Sequence, residues 1–159
     1  MAVEIERKFL LKDDTWREGA EGRRLCQAYL GLTPDCTVRV RIDGASAFLT
    51  LKGRNQGPGR LEFEYAVPLE DANAMLAAFA ASAPVEKTRY KVPFAGFVWE
   101  VDEFHGANEG LVVAEIELES IDQPFELPPW IGREVTGDPR YYNSRLAKHP
   151  YSRWADDDQ

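Results

Sequence analysis

Hydrophobic and polar residues alternate over most of this chain, and a period of two is the pattern of a half-buried β-strand. Around residues 4–8, Glu4, Glu6 and Lys8 fall on one face, and the apolar Val3, Ile5 and Phe9 fall on the other. Asp43 and Gly44 form a tight-turn dipeptide between two alternating segments, which predicts a β-hairpin. Seven further segments alternate in the same way and bring the predicted strands to eight: 25–30, 37–42, 47–52, 61–67, 87–92, 97–104 and 111–119.

One long segment departs from this alternation. Between Pro68 and Pro84 apolar residues recur about every three and a half positions, which indicates an amphipathic helix. The apolar stripe of this helix comprises Leu69, Ala72, Leu76, Phe79 and Ala80.

The C-terminal part predicts a second helix. Asp138 followed by Pro139 is a helix-start signal, and the helix is expected to end near Pro150. Prolines interrupt residues 120–133, which are expected to form a loop packed on the body of the protein. A short helical turn is expected around Trp16.

Seven of the eight predicted strands carry ionisable side chains on one face, while the opposite face is apolar nearly throughout. The acids on these faces are Glu4, Glu6, Glu62, Glu64, Glu100, Asp102, Glu115, Glu117 and Glu119. The bases are Lys8, Arg39, Arg41, Lys52, Lys87, Arg89 and Lys91. A plain sheet whose charged side faces water is the less favoured alternative, because exposed faces seldom group so many like charges strand by strand.

The apolar face decides where the helices lie. A helix with an apolar stripe has to cover apolar surface, so the helices are expected outside the sheet, against Ile5, Val40, Leu51, Phe63 and Ile116. Eight antiparallel strands are enough to close a barrel and remove the edges of the sheet. The predicted fold class is therefore α+β and mainly β: a closed eight-stranded antiparallel β-barrel that forms a charged tunnel, with helices packed outside.

The charges of such a tunnel restrict what it binds. An unpaired buried charge costs several kcal/mol, so the lumen is expected to be hydrated. Arg and Lys side chains bind phosphate oxygens, and carboxylates hold hard cations that share their ligands with phosphate. Cys26, Cys36 and two isolated histidines fit no zinc, copper or redox spacing, so magnesium, manganese or calcium is the expected kind of metal.

Length and composition set further expectations. The 159 residues fit one domain, placed at residues 1–150, and the acidic segment 151–159 is expected to be a frayed tail. With 44% hydrophobic residues, no apolar run long enough to span a bilayer and no secretory signal, we expect a cytoplasmic protein without membrane association. The net charge of -8 argues against nucleic acid binding.

The charged positions also form an ordered set of short motifs. These are E-x-E-x-K at Glu4, Glu6 and Lys8, R-x-R at Arg39 and Arg41, Thr50-Leu51-Lys52, the acids Glu62 and Glu64, Glu86-Lys87-Thr88-Arg89-Tyr90, and Glu115-x-Glu117. In this order they cover nearly the whole chain and resemble the CYTH superfamily, the triphosphate tunnel metalloenzymes. The short single-domain form resembles the bacterial inorganic triphosphatases. The resemblance implies an eight-stranded tunnel that binds a triphosphate and a divalent metal, Mg²⁺ or Mn²⁺.

The same resemblance implies roles for individual residues. The phosphates would be bound by Lys8, Arg39, Arg41, Lys52, Lys87 and Arg89. One metal would be bound by Glu4, Glu6 and Glu117. A second metal or the attacking water would be surrounded by Glu64, Asp102 and Glu115, and the residues implied in catalysis are Lys8, Glu64 and Asp102. The predicted C-terminal helix, residues 138–146 with Arg140, Tyr141 and Asn143, would close one end of the tunnel.

Hydrolysis of inorganic triphosphate to pyrophosphate and phosphate is the favoured function. It agrees with a short ladder of bases facing carboxylates, and no residues are evident that would hold a nucleobase or a sugar. An adenylate cyclase, or a triphosphatase acting on a nucleotide or on thiamine triphosphate, stays open within the superfamily. So does a non-catalytic module that binds polyphosphate or a nucleotide, and an adaptor built on a charged sheet is the remaining alternative.

Overall fold

The computed structural model of the protein describes residues 3–54 and 58–157. Within them the strands are β1 (Val3–Leu11), β2 (Gly22–Leu32), β3 (Cys36–Asp43), β4 (Ser46–Gly53), β5 (Gly59–Val67), β6 (Val85–Phe94), β7 (Phe97–Phe104), β8 (Val112–Glu117) and β9 (Ile131–Glu134). The helices are α1 (Leu69–Phe79), α2 (Asn143–Lys148) and α3 (Trp154–Asp157). Short 3₁₀ turns cover Thr15–Arg17, Gly106–Asn108, Pro139–Tyr141 and Tyr151–Arg153. None of the helices in the described residues is long and apolar enough to cross a membrane.

Eight of the strands close into an antiparallel barrel, as predicted. Starting from β1, neighbouring strands follow the order β1, β5, β4, β3, β2, β6, β7 and β8, and β8 pairs with β1 again. Closure depends on a short junction in which Val3 lies opposite Leu61 and Ile5 lies opposite Gly59. The fold class, α+β and mainly β with a closed barrel, is confirmed.

Strand β9 is an addition to the predicted set. Residues 120–133 were expected to be a loop, yet Ile131–Glu134 forms a strand on the second half of β1, with Ile131 opposite Leu11 and Glu134 opposite Phe9. The strand has only four residues and too little alternation to be recognised in the sequence. It forms because β1 is longer than predicted and continues past its junction with β5.

The predicted hairpin is present between β3 and β4. Asp43 pairs with Ser46, and the two residues between them form the turn. Gly44 has a φ of +61°, a left-handed conformation that glycine adopts without the steric penalty of a side chain. Residues 55–57, within the predicted connection from β4 to β5, lie outside the described residues.

Helix α1 packs on the outer surface of the barrel. Ala72 is buried against Val40 of β3 and Ala47 of β4, and partly buried residues of both strands and of the helix surround this contact. The expectation was too broad in two places: Phe79 of the predicted stripe is 66% exposed and Phe63 of β5 is 44% exposed. Of the residues of β5, Val67 at the end of the strand packs against this cluster, whereas Phe63 lies four residues before it and is not part of the cluster.

Ile5 and Ile116 are covered by irregular chain rather than by a helix. They belong to the largest core cluster, in which Trp99 lies at the centre of edge-on contacts with Phe9, Phe125 and Trp130. Phe125 and Trp130 come from the segment between β8 and β9, so that segment packs on the barrel as predicted.

The predicted C-terminal helix is divided. The Asp138 side chain caps a 3₁₀ turn over Pro139–Tyr141 by accepting a hydrogen bond from the Arg140 amide, and Tyr142 then adopts an extended conformation before α2 begins. Tyr151 and Trp154 pack edge-on, and Trp154 also contacts Tyr141, so contacts with the core continue past residue 150, where the frayed tail was expected to begin. The assignment of one domain to residues 1–150 stays a prediction, and residues 158–159 of the expected tail lie outside the described residues.

Replacing Trp99 with alanine tests the aromatic core. Trp99 is 0% exposed, and loss of a buried aromatic side chain costs about 3–5 kcal/mol through lost burial and the cavity left behind. We expect Trp99→Ala to lower the free energy of unfolding by this amount in urea titrations. Val98→Ala is the matched control, since Val98 is the neighbouring residue on β7 and is 52% exposed, and its effect should stay within about 0.5 kcal/mol. Equal losses in the two variants would contradict the packing described.

Candidate functional site

A polar cavity of about 350 Å³ lies in the barrel lumen. Side chains from β1 and β3 to β8 line it, together with one residue of α2: Glu4, Glu6, Arg39, Arg41, Lys52, Glu62, Glu64, Lys87, Arg89, Glu100, Glu115, Glu117 and Asn143. A second cavity of about 60 Å³ adjoins it, because both are lined by Glu4, Glu6, Arg39, Lys52 and Asn143, and Lys8 lies on the smaller one. Every predicted site residue except Asp102 and Lys8 thus lines the larger cavity.

Strand alternation and register place these residues. In the antiparallel pair of β1 and β8, Glu6 lies opposite Glu117 and Lys8 lies opposite Glu115. In the pair of β6 and β7, Arg89 lies opposite Asp102. Directly opposed residues of antiparallel strands point to the same face, so the two members of each of these three residue pairs point to the same side of the barrel wall.

A buried ion cluster occupies part of the lumen. The Asp102 carboxylate accepts two hydrogen bonds from Arg89, at 2.8 and 2.9 Å, and its Oδ2 lies 2.8 Å from Lys87 Nζ. Asp102 and Lys87 are both 0% exposed. This part of the lumen is therefore filled by paired charges, whereas the sequence predicted a hydrated tunnel throughout.

The same cluster shifts the pKa values of its members. Burial acts to raise the pKa of Asp102, but the charges of Arg89 and Lys87 outweigh burial and lower it. Burial lowers the pKa of Lys87 to about 7, against the attraction of Asp102 and with the repulsion of Arg89 and Arg41. Asp102 is thus held ionised. Lys87 is buried and paired with Asp102, and its lowered pKa means that it is only partly protonated near neutral pH.

The two arginines of β3 are neutralised only in part, because in the described residues Arg41 makes no ion pair and Arg39 makes a single long one. Arg39 Nη2 donates to Thr50 Oγ1 at 3.3 Å and lies 3.6 Å from Glu64, while its buried Nε has no hydrogen-bond partner in the described residues. Arg41 Nε donates to the neutral Gln27 amide at 2.8 Å. Burial, followed by the charges of Arg39 and Arg89, lowers the pKa of Arg41 to about 10. An anion in the cavity would relieve this repulsion between cations.

Carboxylates crowd around Lys52 and the start of β1. Lys52 Nζ lies 2.9 Å from Glu4 and 3.9 Å from Glu62. Burial and a hydrogen bond to Glu4 raise the pKa of Glu62 to about 8. Burial and the charges of Glu115 and Glu4 raise the pKa of Glu6, and burial and the charges of Glu4 and Glu100 raise that of Glu117.

This acidic group suits a hard divalent cation, since it offers carboxylate oxygens and a cation would relieve the crowding that raises the pKa values of Glu6, Glu62 and Glu117. The pKa of Glu4, in contrast, is lowered, because burial, which acts to raise it, is outweighed by its hydrogen bonds to Glu62 and Glu6 and by the charge of Lys52. The predicted ligands Glu4, Glu6 and Glu117 all line the larger cavity. As they stand, no three Asp, Glu, His or Cys side chains in the described residues are grouped closely enough to hold a metal ion. Side-chain rotation would have to complete the ligand set.

The second predicted group is not brought together. Glu115 lies 3.5 Å from Lys8, Glu64 accepts a hydrogen bond from Thr50 at 2.9 Å, and Asp102 is held by Lys87 and Arg89. Each of the three acids thus has a different partner. Asp102, in particular, holds two of the predicted phosphate-binding cations with its two oxygens.

The C-terminal segment closes on the lumen through polar contacts. Lys8 Nζ donates to the backbone carbonyl of Tyr141 at 3.0 Å. Asn143, the first residue of α2, accepts hydrogen bonds from Lys87 at 2.9 Å and from Gln27 at 3.2 Å. Tyr141 and Asn143 were both named in the predicted closing segment, and the structure places both against lumen cations.

Sequence reasoning gave no site role to two buried polar residues, Gln27 and Thr50, although Thr50 belongs to one of the short motifs. Gln27 and Thr50 are both 0% exposed and both contact lumen arginines. Neither is ionisable, so a search for charged faces does not find them. The strand register is what identifies them as site residues, because Gln27 lies opposite Arg41 and Thr50 lies opposite Arg39 in neighbouring strands.

Comparison with known proteins gives consistent relatives over most of the chain. An inorganic triphosphatase of Acetivibrio thermocellus is 49% identical over 154 residues, covering 97% of this chain and 99% of that protein. An inorganic triphosphatase of Nitrosomonas europaea is 40% identical over 151 residues, covering 91% of this chain and 97% of that protein. A crystal structure described as an inorganic triphosphatase matches with a TM-score of 0.63 at 37% identity, covering 90% of this chain and 96% of its own.

A family model for the CYTH domain matches residues 2–142. The matched span contains all nine described strands and the start of the C-terminal segment that contacts Lys8. With its closed barrel and its charged lumen, the chain belongs to the CYTH domain family.

Proposed function

We propose that the protein hydrolyses inorganic triphosphate to pyrophosphate and phosphate in the barrel lumen, with a divalent metal, Mg²⁺ or Mn²⁺. The observation that carries the proposal is one cavity of about 350 Å³ whose wall combines arginines that are neutralised only in part with a group of crowded carboxylates. The curated relatives named inorganic triphosphatase support it at 49% and 40% identity. A cytoplasmic location stays a prediction.

The cations of the cavity would bind the substrate. Arg39 and Arg41 present buried guanidinium groups whose partners are mostly neutral, so their charge remains available to phosphate oxygens. Lys52 and Arg89 would contact the same chain of phosphates from β4 and β6. Binding at several fixed positions would align the phosphoanhydride bond, and alignment supplies much of the catalysis in phosphoryl transfer.

Lys8 fits the role of a cationic donor better than that of a base. Burial acts to lower its pKa, but the charges of Glu115, Glu6 and Asp102 outweigh burial and raise it. A lysine that stays protonated at neutral pH cannot accept the proton of water. Lys8 would instead stabilise negative charge, positioned by the Tyr141 carbonyl and by Glu115.

The carboxylates divide into three functions. Glu4, Glu6 and Glu117 would hold the metal, with Glu115 close to them, and a bound divalent cation would neutralise phosphate charge and make water a better nucleophile. Glu64, held by Thr50, would orient the attacking water. Asp102 would hold Arg89 and Lys87 in position rather than bind metal or water, because both of its oxygens already accept hydrogen bonds or ion pairs.

A phosphate-release assay tests the proposed reaction. With Mg²⁺ or Mn²⁺ we expect phosphate and pyrophosphate from triphosphate in equal amounts, and loss of release when EDTA is added. Lys8→Met and Glu4→Gln should each lower kcat/KM roughly 100-fold or more, the usual effect of removing one charge-stabilising group. Lys12→Met and Glu126→Gln are matched controls on exposed residues and should behave as the unaltered protein.

The assay also separates the alternatives when triphosphate, ATP, thiamine triphosphate and pyrophosphate are compared. Cyclic AMP formed from ATP would contradict the proposal and indicate a cyclase. A higher kcat/KM on ATP or thiamine triphosphate than on inorganic triphosphate would identify the protein as a nucleotide triphosphatase or a thiamine triphosphatase. Tight binding without release of phosphate with either metal would indicate a binding module.

Asp102→Asn tests the positioning role of Asp102. Without the Asp102 charge the pKa of Lys87 should fall further below about 7, so Lys87 loses its charge at neutral pH, and Arg89 keeps only Glu100 to direct it. KM for triphosphate should therefore rise roughly 10- to 100-fold and exceed the change in kcat. The free energy of unfolding should fall by about 3–5 kcal/mol, because Lys87 and Arg89 remain buried without this partner. Glu103→Gln on the same strand, whose partner Arg17 lies outside the lumen, is the control. A loss confined to kcat would instead place Asp102 in the chemical step.

The metal-free protein should become less stable as the pH rises from 5 to 7. The pKa of Glu62 is about 8 in the folded state against about 4.5 when unfolded, so between these values the folded state holds the extra proton. Stability therefore falls as the pH rises through this range. The raised pKa values of Glu6 and Glu117 act in the same direction, whereas the effect of Lys87 begins only near pH 7.

Thermal melting of the protein in EDTA measures this dependence. We expect the melting temperature to fall by several degrees from pH 5 to 7, and Mg²⁺ or Mn²⁺ to restore it more at pH 7 than at pH 5. Glu62→Gln should weaken the dependence, since it removes one of the titrating carboxyls. A melting temperature that rises with pH over this range would contradict the crowding of carboxylates.

A further inference from the structure

Gln27 is a fully buried amide with no established role. It lies on β2, the barrel strand from which no described residue lines the larger cavity, and it is 0% exposed. A buried side-chain amide costs free energy unless its donor and acceptor groups are both satisfied. Its partners therefore show what it does in the lumen.

Both ends of the Gln27 amide contact the site. Its Oε1 accepts a hydrogen bond from Arg41 Nε at 2.8 Å, and its Nε2 donates to Asn143 Oδ1 at 3.2 Å. Asn143 Oδ1 also accepts from Lys87 Nζ at 2.9 Å. The four side chains form a continuous bridge from β3 through β2 and α2 to β6.

The bridge joins two cations that repel each other. β2 lies between β3 and β6, so Arg41 and Lys87 are on either side of it in the barrel wall. The charge of Arg41 is one of the causes that lower the pKa of Lys87. In a buried site such repulsion would turn the two side chains away from each other unless other groups fixed their direction.

The partners that fix them are neutral on this side. An amide oxygen accepts a hydrogen bond from a cation without cancelling its charge, whereas a carboxylate in the same place would neutralise it. Lys87 already has one carboxylate partner in Asp102. The neutral bridge thus fixes the directions of Arg41 and Lys87 without neutralising Arg41 and without adding a second anion beside Lys87.

We propose that Gln27 and Asn143 are positioning residues of the triphosphate site, which orient Arg41 and Lys87 toward the phosphates through the Arg41–Gln27–Asn143–Lys87 bridge. The inference rests on the proposed function, because it requires Arg41 and Lys87 to bind phosphate. It assigns to β2 and α2 the task of aligning cations that belong to β3 and β6.

Gln27→Glu separates this role from simple packing. Glutamate keeps the size of the side chain and an oxygen for Arg41, and it adds a charge that would neutralise Arg41 and lose the donor to Asn143. We expect Gln27→Glu to keep the melting temperature near that of the unaltered protein and to raise the Kd of triphosphate, measured by calorimetry, roughly 10- to 100-fold. KM should rise in parallel, with a smaller change in kcat.

Two further variants complete the design. Gln27→Leu removes both hydrogen bonds at similar volume and should also weaken triphosphate binding, while Gln123→Leu, the same change in the segment between β8 and β9, should not. The double variant Gln27→Asn with Asn143→Gln exchanges the two amides and keeps their combined length. It should recover at least part of the affinity that Gln27→Asn alone loses.

The outcomes distinguish this inference from the proposed function. If the unaltered protein hydrolyses triphosphate but Gln27→Glu and Gln27→Leu leave Kd and KM unchanged, the positioning role is overturned and the proposed triphosphatase activity stands. Weaker binding in the Gln27 variants of a protein that binds but does not hydrolyse triphosphate would support the bridge and overturn the proposed reaction. A fall in melting temperature with unchanged Kd would assign Gln27 to packing alone.

Discussion

Three residue pairs between β1 and β5 hold the charged lumen closed. The pairs are Val3 with Leu61, Glu4 with Arg60 and Ile5 with Gly59. This junction of β1 with β5 closes the sheet into a barrel. Without it, the charged face of the sheet would lie in bulk water, where an ion pair contributes little. With it, the lumen side chains lie in a setting of lower dielectric, where the position of each charge has large energetic consequences.

Inside this closed wall, the partner of each cation decides how much of its charge is available. Asp102 neutralises Arg89 with two hydrogen bonds and shares its charge with Lys87. Gln27, which is neutral, directs Arg41 without cancelling its charge, and Arg39 has the neutral Thr50 and only a long ion pair with Glu64 as partners. The lumen therefore has a part in which the cations are neutralised, around Asp102, and a part with excess positive charge, around Arg39 and Arg41. The second part is suited to an anionic ligand.

The barrel could be predicted because its strands carry a clear period of two and opposite chemistry on their two faces. The ion-pairing scheme could not, because Asp102, Glu64 and Glu115 look equivalent as acids on alternating strands, and only the register assigns them to different cations. Gln27 and Thr50 lacked the charge by which site residues were recognised. Strand β9 was missed because four residues after two prolines carry too little periodicity. Phe63 was wrongly expected beneath a helix, because a sequence pattern shows which face of a strand is apolar but not how much of that face a helix covers.

The three partners of β1 also have a consequence for how the chain folds. β1 pairs with β5, β8 and β9, and the ion pair of Arg7 with Glu134 spans 127 residues. Hairpins such as β3–β4 and β6–β7 need only local contacts and form early, whereas contacts of long sequence separation form slowly. During synthesis β1 emerges before its partner strands β5, β8 and β9, which follow it along the chain. Its apolar side chains, Ile5 and Phe9, remain uncovered in the nascent chain until the last strands have emerged.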